Sequence, residues 1–381
     1  MNESLLFENN KFKNYISYKI IDKRIQILIK EKTIDHRMIK NIISLVFDIE
    51  KKYSSIKIPI TIILKKVEFK DKLTIILFES ICNHIIVQCK RNLKIQMSVR
   101  KGIATHGISS SVLQLLNGEK HIDKFVKQYN FDLYQNHYRR IIHRESSKES
   151  DILSKTFSEI NTFFKPFNVD PRAALEVSEF LIELLGNAKE HTDSDCLIDL
   201  DVTPADYLKR NDQSIDYENL YYGINIAVVN FSENLLGDGI QKIIMGNTVL
   251  EDRYKKVQEA YEYHKKYFND DYMKEDFFNI AAYQHKISGR EKIVETGGTG
   301  LTKLISSLEK KADSHQCYVL SGNRGIFFKQ EYLEYNDDRW IGFNDKNNFI
   351  SDIPNPNLLF NSDLFIPGTA YNLSFVMRKE N

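Results

Sequence analysis

The sequence predicts an α/β protein built in two successive parts, 1–145 and 150–381. Two patterns and one bound lead there. The N-terminal stretch alternates strand and helix signals in the order β-α-β-α-β, which favours an α/β layer. A second strand-and-helix region follows a helix start at Asp170-Pro171. The chain has 381 residues, more than the roughly 100–200 of a single domain.

The elements follow from periodicity. Ile25, Ile27 and Ile29 alternate with polar residues, as in a half-buried strand. Ile39, Ile42, Ile43, Val46 and Phe47 recur at helical spacing within Met38–Tyr53. Ile60 to Leu64 is a β-branched strand run, 70–88 reads as a largely buried helix, and Leu93, Ile95, Met97 and Val99 alternate again. Residues 111–165 read mostly helical, divided by the charged stretch His143 to Asp151, a candidate joint or a solvated helix face. Asp170 caps and Pro171 opens a helix to about His191, with Val177, Phe180, Leu181, Leu184 and Ala188 as its apolar stripe. Strands are expected at 196–202 and 222–231, and helices without a clear core stripe at 241–290. A glycine-rich turn at 297–300 opens a helix to about Lys310. A hairpin is expected at 317–329, turning at Gly322-Asn323-Arg324-Gly325. The last strand carries Tyr371, Leu373, Phe375 and Met377, opened by Pro367-Gly368-Thr369.

Composition narrows the class. With 42% hydrophobic and 28% charged residues, the chain is globular rather than disordered. A net charge of +1 argues against wholesale binding to nucleic acid or anionic membrane. Two small basic clusters, Lys90-Arg91 with Lys94 and Arg100-Lys101, leave a local nucleic-acid contact open, though solvent-facing lysines explain them as well. Cys82, Cys89, Cys196 and Cys317 lack C-x-x-C spacing, so free thiols are expected rather than a disulfide framework or structural zinc. The N-terminus lacks signal-peptide features, and the most apolar run, Leu73 to Val87, is broken by Glu79, Asn83 and His84. A cytoplasmic protein without membrane contact is expected.

Three further motifs carry chemistry, each with a plainer structural explanation beside it. Glu183, Asn187 and His191 are spaced i, i+4, i+8 and share one helix face. An amide oxygen suits Mg²⁺, and a carboxylate one turn earlier can orient or deprotonate water. The alternative is an ordinary polar face. After the apolar strand Ile224 to Val229 come Asn230 and then Gly237-Asp238-Gly239, where glycine lets a ligand approach and an Asp accepts from an exocyclic amine. The alternative is a simple turn. Thr296-Gly297-Gly298-Thr299-Gly300-Leu301 leads into a helix, so its amides and the helix dipole favour a phosphate; it lacks a Walker A ending. A flexible capping loop is the alternative.

Together, in this order, these elements resemble the GHKL family of ATP-binding domains: gyrase B subunits, heat-shock chaperones, histidine kinases, mismatch-repair ATPases and anti-sigma-factor kinases. The resemblance covers about residues 150–378. It implies a two-layer α/β sandwich with a mixed, mainly antiparallel sheet, ATP held between helices, and a lid over about 241–296. Asn187 would hold Mg²⁺ and Glu183 would activate water. His191 belongs to the same box. Gly297, Gly298, Thr299, Gly300 and Leu301 would wrap the triphosphate, Arg290 would face it, and Thr369 matches the closing Gly-Thr strand. The middle box departs from the family's D-x-G-x-G. Either Asp238, beside Gly239, reads adenine from a lengthened loop, or Asn230 does so through its amide oxygen; Asp238 is favoured. The N-terminal β-α-β pattern is similar to STAS-like regulatory domains. The resemblance leaves three functions: an ATPase that switches contacts with a protein partner or in a homodimer, which Glu183 favours; a protein kinase, Ser/Thr-directed or with His143 as phosphoacceptor; and a non-catalytic nucleotide-gated module.

Overall fold

The computed structural model describes residues 1–11, 16–65, 67–97, 104–105, 111–144, 151–192, 194–204, 221–246, 250–288, 300–309 and 317–380. It is a mixed α/β structure. After helix α1 (Glu3–Asn9), strands β1 (Tyr18–Ile21) and β2 (Arg24–Ile29) form an antiparallel pair. The short β3 (Thr33–Ile34) precedes helix α2 (His36–Lys52), strand β4 (Ile60–Leu64), the short β5 (Glu68–Phe69), helix α3 (Lys72–Asn83), strand β6 (Leu93–Met97) and the short β7 (Ala104–Thr105). β2, β4 and β6 are parallel in a four-stranded sheet of order β1-β2-β4-β6, as helical crossovers require. β3, β5 and β7 make a small parallel sheet.

Local chemistry fixes the helices. Asp35 caps α2, accepting from the Met38 amide at 2.9 Å; such a cap contributes about 1 kcal/mol. Ile39, Ile42, Ile43, Val46 and Ile49 form its buried stripe. α3 is buried along its whole length, so it shows no stripe. It packs on α2 on one side and on the larger sheet on the other. One widened turn ends it, where the Cys89 amide donates to the His84 carbonyl at 3.0 Å.

The chain continues through helix α4 (Ile122–Asn130), the antiparallel strands β8 (Phe131–Tyr134) and β9 (His137–Ile142), and helices α5 (Ile152–Phe164) and α6 (Pro171–Thr192). Next come strands β10 (Cys196–Pro204) and β11 (Tyr221–Asn230) and helices α7 (Asp238–Gly246), α8 (Asp252–His264), α9 (Lys274–Ala281) and α10 (Gly300–Glu309). Strands β12 (Tyr318–Phe327) and β13 (Leu359–Arg378) close the chain. β8 to β13 form one six-stranded antiparallel sheet of order β12-β13-β11-β10-β9-β8.

Both faces of this sheet are covered, and side chains divide between them with period two. Ile198 and Leu200 of β10, Ile224 and Ile226 of β11, and Leu373 and Phe375 of β13 pack with Val177, Phe180 and Leu181 of α6 and Leu304 and Leu308 of α10. Leu197, Ala227, Val229, Leu320 and Ile366 face the other way, into one core with α1, α2 and α3. Burying each such aliphatic side chain contributes about 1.5–3 kcal/mol.

That second face also holds charge. Lys72 of α3 is ion-paired with Asp199 and Asp201 of β10, and Arg139 of β9 pairs with Asp199 and with Glu79 of α3. Lys72 is 3% exposed, Arg139 1%, and Asp199, Asp201 and Glu79 0%. His137 joins them, with Nδ1 2.7 Å from Asp132 and Nε2 3.0 Å from Asp199. Burial alone would lower the His137 pKa, but the carboxylates of Asp199 and Asp132 raise it to about 9. Burial alone would raise the Asp199 pKa, yet Arg139, Lys72 and His137 hold it well below the usual carboxylate range.

Several expectations need correction. Helices take up more than half of the described residues in 111–165, as expected, but β8 and β9 also lie within them and extend the six-stranded sheet. No hairpin turns at Gly322. β12 runs straight through it, with register shifts on either side of Gly322, between Leu320 and Gly322 and between Gly322 and Arg324, while Gly325 pairs regularly with Phe360. Pro367-Gly368-Thr369 lies inside the long β13 rather than opening it. The helices at 241–290 do have core contacts, through Tyr254, Val257, Ala260 and His264. Arg91 is unavailable to a nucleic acid: it is 2% exposed, ion-paired with Glu50 and donating to the carbonyls of Tyr53, Ile56 and Ile58. Arg100, Lys101 and most of the charged stretch, 145–150, lie outside the described residues. The four cysteines are buried, and among the described residues none of them joins a disulfide. No described helix is long and apolar enough to cross a membrane.

Candidate functional site

α6 begins where the sequence marks it, with Asp170 Oδ1 accepting from the Arg172 amide at 2.9 Å and Pro171 at the first position. Its buried stripe leaves Glu183 and Asn187, one turn apart, half-buried. α10 packs beside α6. Lys303, in the first turn of α10, lies 3.5 Å from both Glu179 and Glu183. Nothing in the sequence pointed to Lys303 as the neighbour of Glu183. It matters chemically, because an ammonium ion beside a carboxylate attracts it and fixes its direction. Gly300 and Leu301 open α10, and Leu301 packs against the core.

Asn230 ends β11 and is buried. Its register partner in β13 is Thr369, and its partner in β10 is Cys196. By alternation from Ile226 and Val228, and from Leu373 and Tyr371, both Asn230 and Thr369 lie on the face that carries α6 and α10. The Asn230 amide donates to Ser194 Oγ. Gly368, with φ of +85°, lets this corner close: an added Cβ would fall 2.8 Å from Asn230 Oδ1 and from the Ser232 amide nitrogen.

The Gly237-Asp238-Gly239 triplet does different work. Asp238 Oδ2 accepts from the Leu235 amide at 2.8 Å, tying its own turn, and the triplet leads into α7. An added Cβ on Gly237 would lie 2.6 Å from Phe278 Cβ and 2.7 Å from its carbonyl carbon, so glycine here admits α9. α9 is held in turn by Arg324 of β12, whose Nε donates to Asp276 Oδ1 at 2.8 Å. His143 follows β9, its Nδ1 3.1 Å from Asp195, the chain neighbour of the Ser194 to which Asn230 donates.

Arg290, Gly297, Gly298 and Thr299 lie outside the described residues, and of His191 only its place on α6 is described. Among the described residues no group of three or more His, Cys, Asp or Glu side chains is placed to hold a metal ion. The donors that α6 offers are the oxygens of Glu183 and Asn187, a set that fits Mg²⁺ completed by water and phosphate oxygens. No family model, curated protein or solved structure matches the chain.

Proposed function

We propose that the chain is a GHKL-type, Mg²⁺-dependent ATP-binding protein that hydrolyses ATP. One observation carries the reading. Helices α6 and α10 lie side by side on the sheet face where Asn230 and Thr369 are register partners. The element order supports it too: box helix, two strands, lid helices, glycine-led helix, two strands.

In this reading Asn187 and Glu183 face the bound nucleotide from α6. Asn187 would hold Mg²⁺, which when bound neutralises charge on the triphosphate. Glu183 orients the attacking water, and Lys303 sets where its carboxylate rests. Asn230 accepts from the adenine amine, in preference to Asp238, whose carboxylate is engaged in its own turn. The residues do little covalent chemistry; they position groups and balance charge. Lid movement over 241–296 would change contacts with a protein partner or a second copy. The N-terminal layers, being continuous with the sheet core, would sense or transmit that movement.

The test incubates the full chain with Mg²⁺ and γ-labelled ATP, as wild type, Asn187→Ala and Glu183→Gln. Free labelled phosphate from wild type is expected to fall at least about a hundredfold in Glu183→Gln, the loss typical of a missing general base. ATP binding should survive in Glu183→Gln and weaken in Asn187→Ala. Label on the protein instead would favour a kinase. No saturable ATP binding by wild type would sink the proposal.

A further inference from the structure

A second polar site lies where α8, the turn at 284–286 and the connection between β12 and β13 meet. Trp340, the sole tryptophan, is 2% exposed. It stacks on Phe349 at 5.6 Å and 3° on one side, and the Arg253 guanidinium lies 4.5 Å from its ring centre. His285 is 8% exposed and receives a hydrogen bond at Nε2 from Arg339 Nη1, at 3.1 Å. Accepting at Nε2 puts the ring proton of neutral His285 on Nδ1. Gln284 and Ile341 exchange hydrogen bonds of 2.9 and 2.8 Å, locking the two turns together.

Four nitrogens of this cluster are shielded from solvent and have no hydrogen-bond partner: Arg253 Nε and Nη2, His285 Nδ1 and Trp340 Nε1. All four are donors, given that tautomer. Leaving a buried donor unmet costs about 1–3 kcal/mol, more when it is charged. Four on adjoining side chains therefore point to a missing acceptor. Arg253 offers Nε and Nη2, the edge of guanidinium that meets two oxygens at once. The surrounding charge has the same sign. Beyond burial, Arg339, Arg253 and Lys286 all lower the His285 pKa. The carboxylate whose field reaches Arg253 is that of Asp338.

We propose that Arg253, His285 and Trp340 form an oxyanion pocket that takes a phosphoryl group. A phosphoryl group fits better than a carboxylate because it offers three or four oxygens to four donors in a cationic site where Arg253 is half-buried and His285 and Trp340 are buried. Its bearer is either a small phosphorylated ligand or the phosphate tail of a nucleotide. The pocket itself does not depend on the ATP reading of α6.

Trp340 makes the pocket its own reporter. Full-length protein is titrated with inorganic phosphate at constant ionic strength, following tryptophan emission and thermal midpoint together. A saturable emission change with a rising midpoint is expected. Arg253→Met, and the milder Arg253→Lys that keeps charge but loses the fork, should each weaken it about tenfold or more. The same titration with ATP and adenosine, in wild type and Asn187→Ala, separates the bearers. A phosphate response that is unchanged in Asn187→Ala supports a separate ligand. A response to ATP but not to adenosine or phosphate, weakened by Arg253→Lys, assigns the pocket to the nucleotide tail. An emission response to none of the probes, or one that folded Arg253→Lys leaves unaltered, overturns the proposal, whether or not ATP binds at α6.

Discussion

Lys72→Met removes the cation shared by Asp199 and Asp201 while keeping most of the side chain's volume. All three groups are nearly or fully withdrawn from water, Lys72 at 3% exposure and both carboxylates at 0%. Taking one partner from such a cluster leaves buried charge uncompensated, at a cost of about 3–5 kcal/mol. With unfolding entropy of about 2.1 cal/mol/K per residue, a 381-residue chain melting as one unit loses about 4–6 °C of Tm. One unit is the expectation because the charged face belongs to a core that joins α1, α2 and α3 to the six-stranded sheet. The assay is calorimetry at neutral pH and fixed salt, on wild type, Lys72→Met, Asp201→Asn and Lys72→Met/Asp201→Asn. If charge imbalance is the cause, the double variant should be more stable than the sum of the single losses predicts. A Tm drop below about 1 °C for Lys72→Met, or strict additivity in the double variant, would refute the reasoning.

Two other perturbations follow from the same geometry. His137 has its pKa raised to about 9 in the folded protein, burial opposing and Asp199 and Asp132 prevailing. Its contribution is therefore complete below about pH 6.5, the unfolded value, and is lost as pH rises through about 9. At most about 3 kcal/mol is at stake. Tm against pH should fall more steeply over that window in wild type than in His137→Gln, and parallel curves would contradict the ion cluster. Gly368→Ala should cost about 2–6 kcal/mol, from a strained φ and a Cβ driven against Asn230. It should also weaken ATP binding by displacing Asn230. A stable Gly368→Ala variant with unchanged ATP affinity would separate that corner from the nucleotide.

The sequence was most readable where one face of an element is apolar. The alternation in β2, the stripe of α2 and the Asp170-Pro171 start of α6 all report local rules, and the structure follows them. β8 and β9 escaped notice because His137 and Arg139 point inward. Charged residues on a buried face erase the alternation that marks a strand. Gly322 and Gly325 suggested a turn, but within a continuous strand Gly322 serves a register shift and Gly325 makes room for the Phe360 ring. At the candidate site, spacing along one helix put Glu183 and Asn187 together. Pairing of Asn230 with Thr369, and of Lys303 with Glu183, depends on strands and helices far apart in the chain. The Arg253, His285 and Trp340 cluster carries no motif because each residue comes from a different element.

The double covering of the six-stranded sheet bears on how the protein can be cut. A fragment starting at Ile152 would lack β8 and β9, turning β10 into an open edge ready to pair with another chain. It would also present Leu197, Ala227, Val229, Leu320 and Ile366 to water, beside Asp199 and Asp201 stripped of Lys72 and Arg139. An apolar surface of that kind drives aggregation. The C-terminal part is thus not a portable cassette. Its N-terminal companion covers one face of its sheet, so the two are expected to fold and be expressed as a single object.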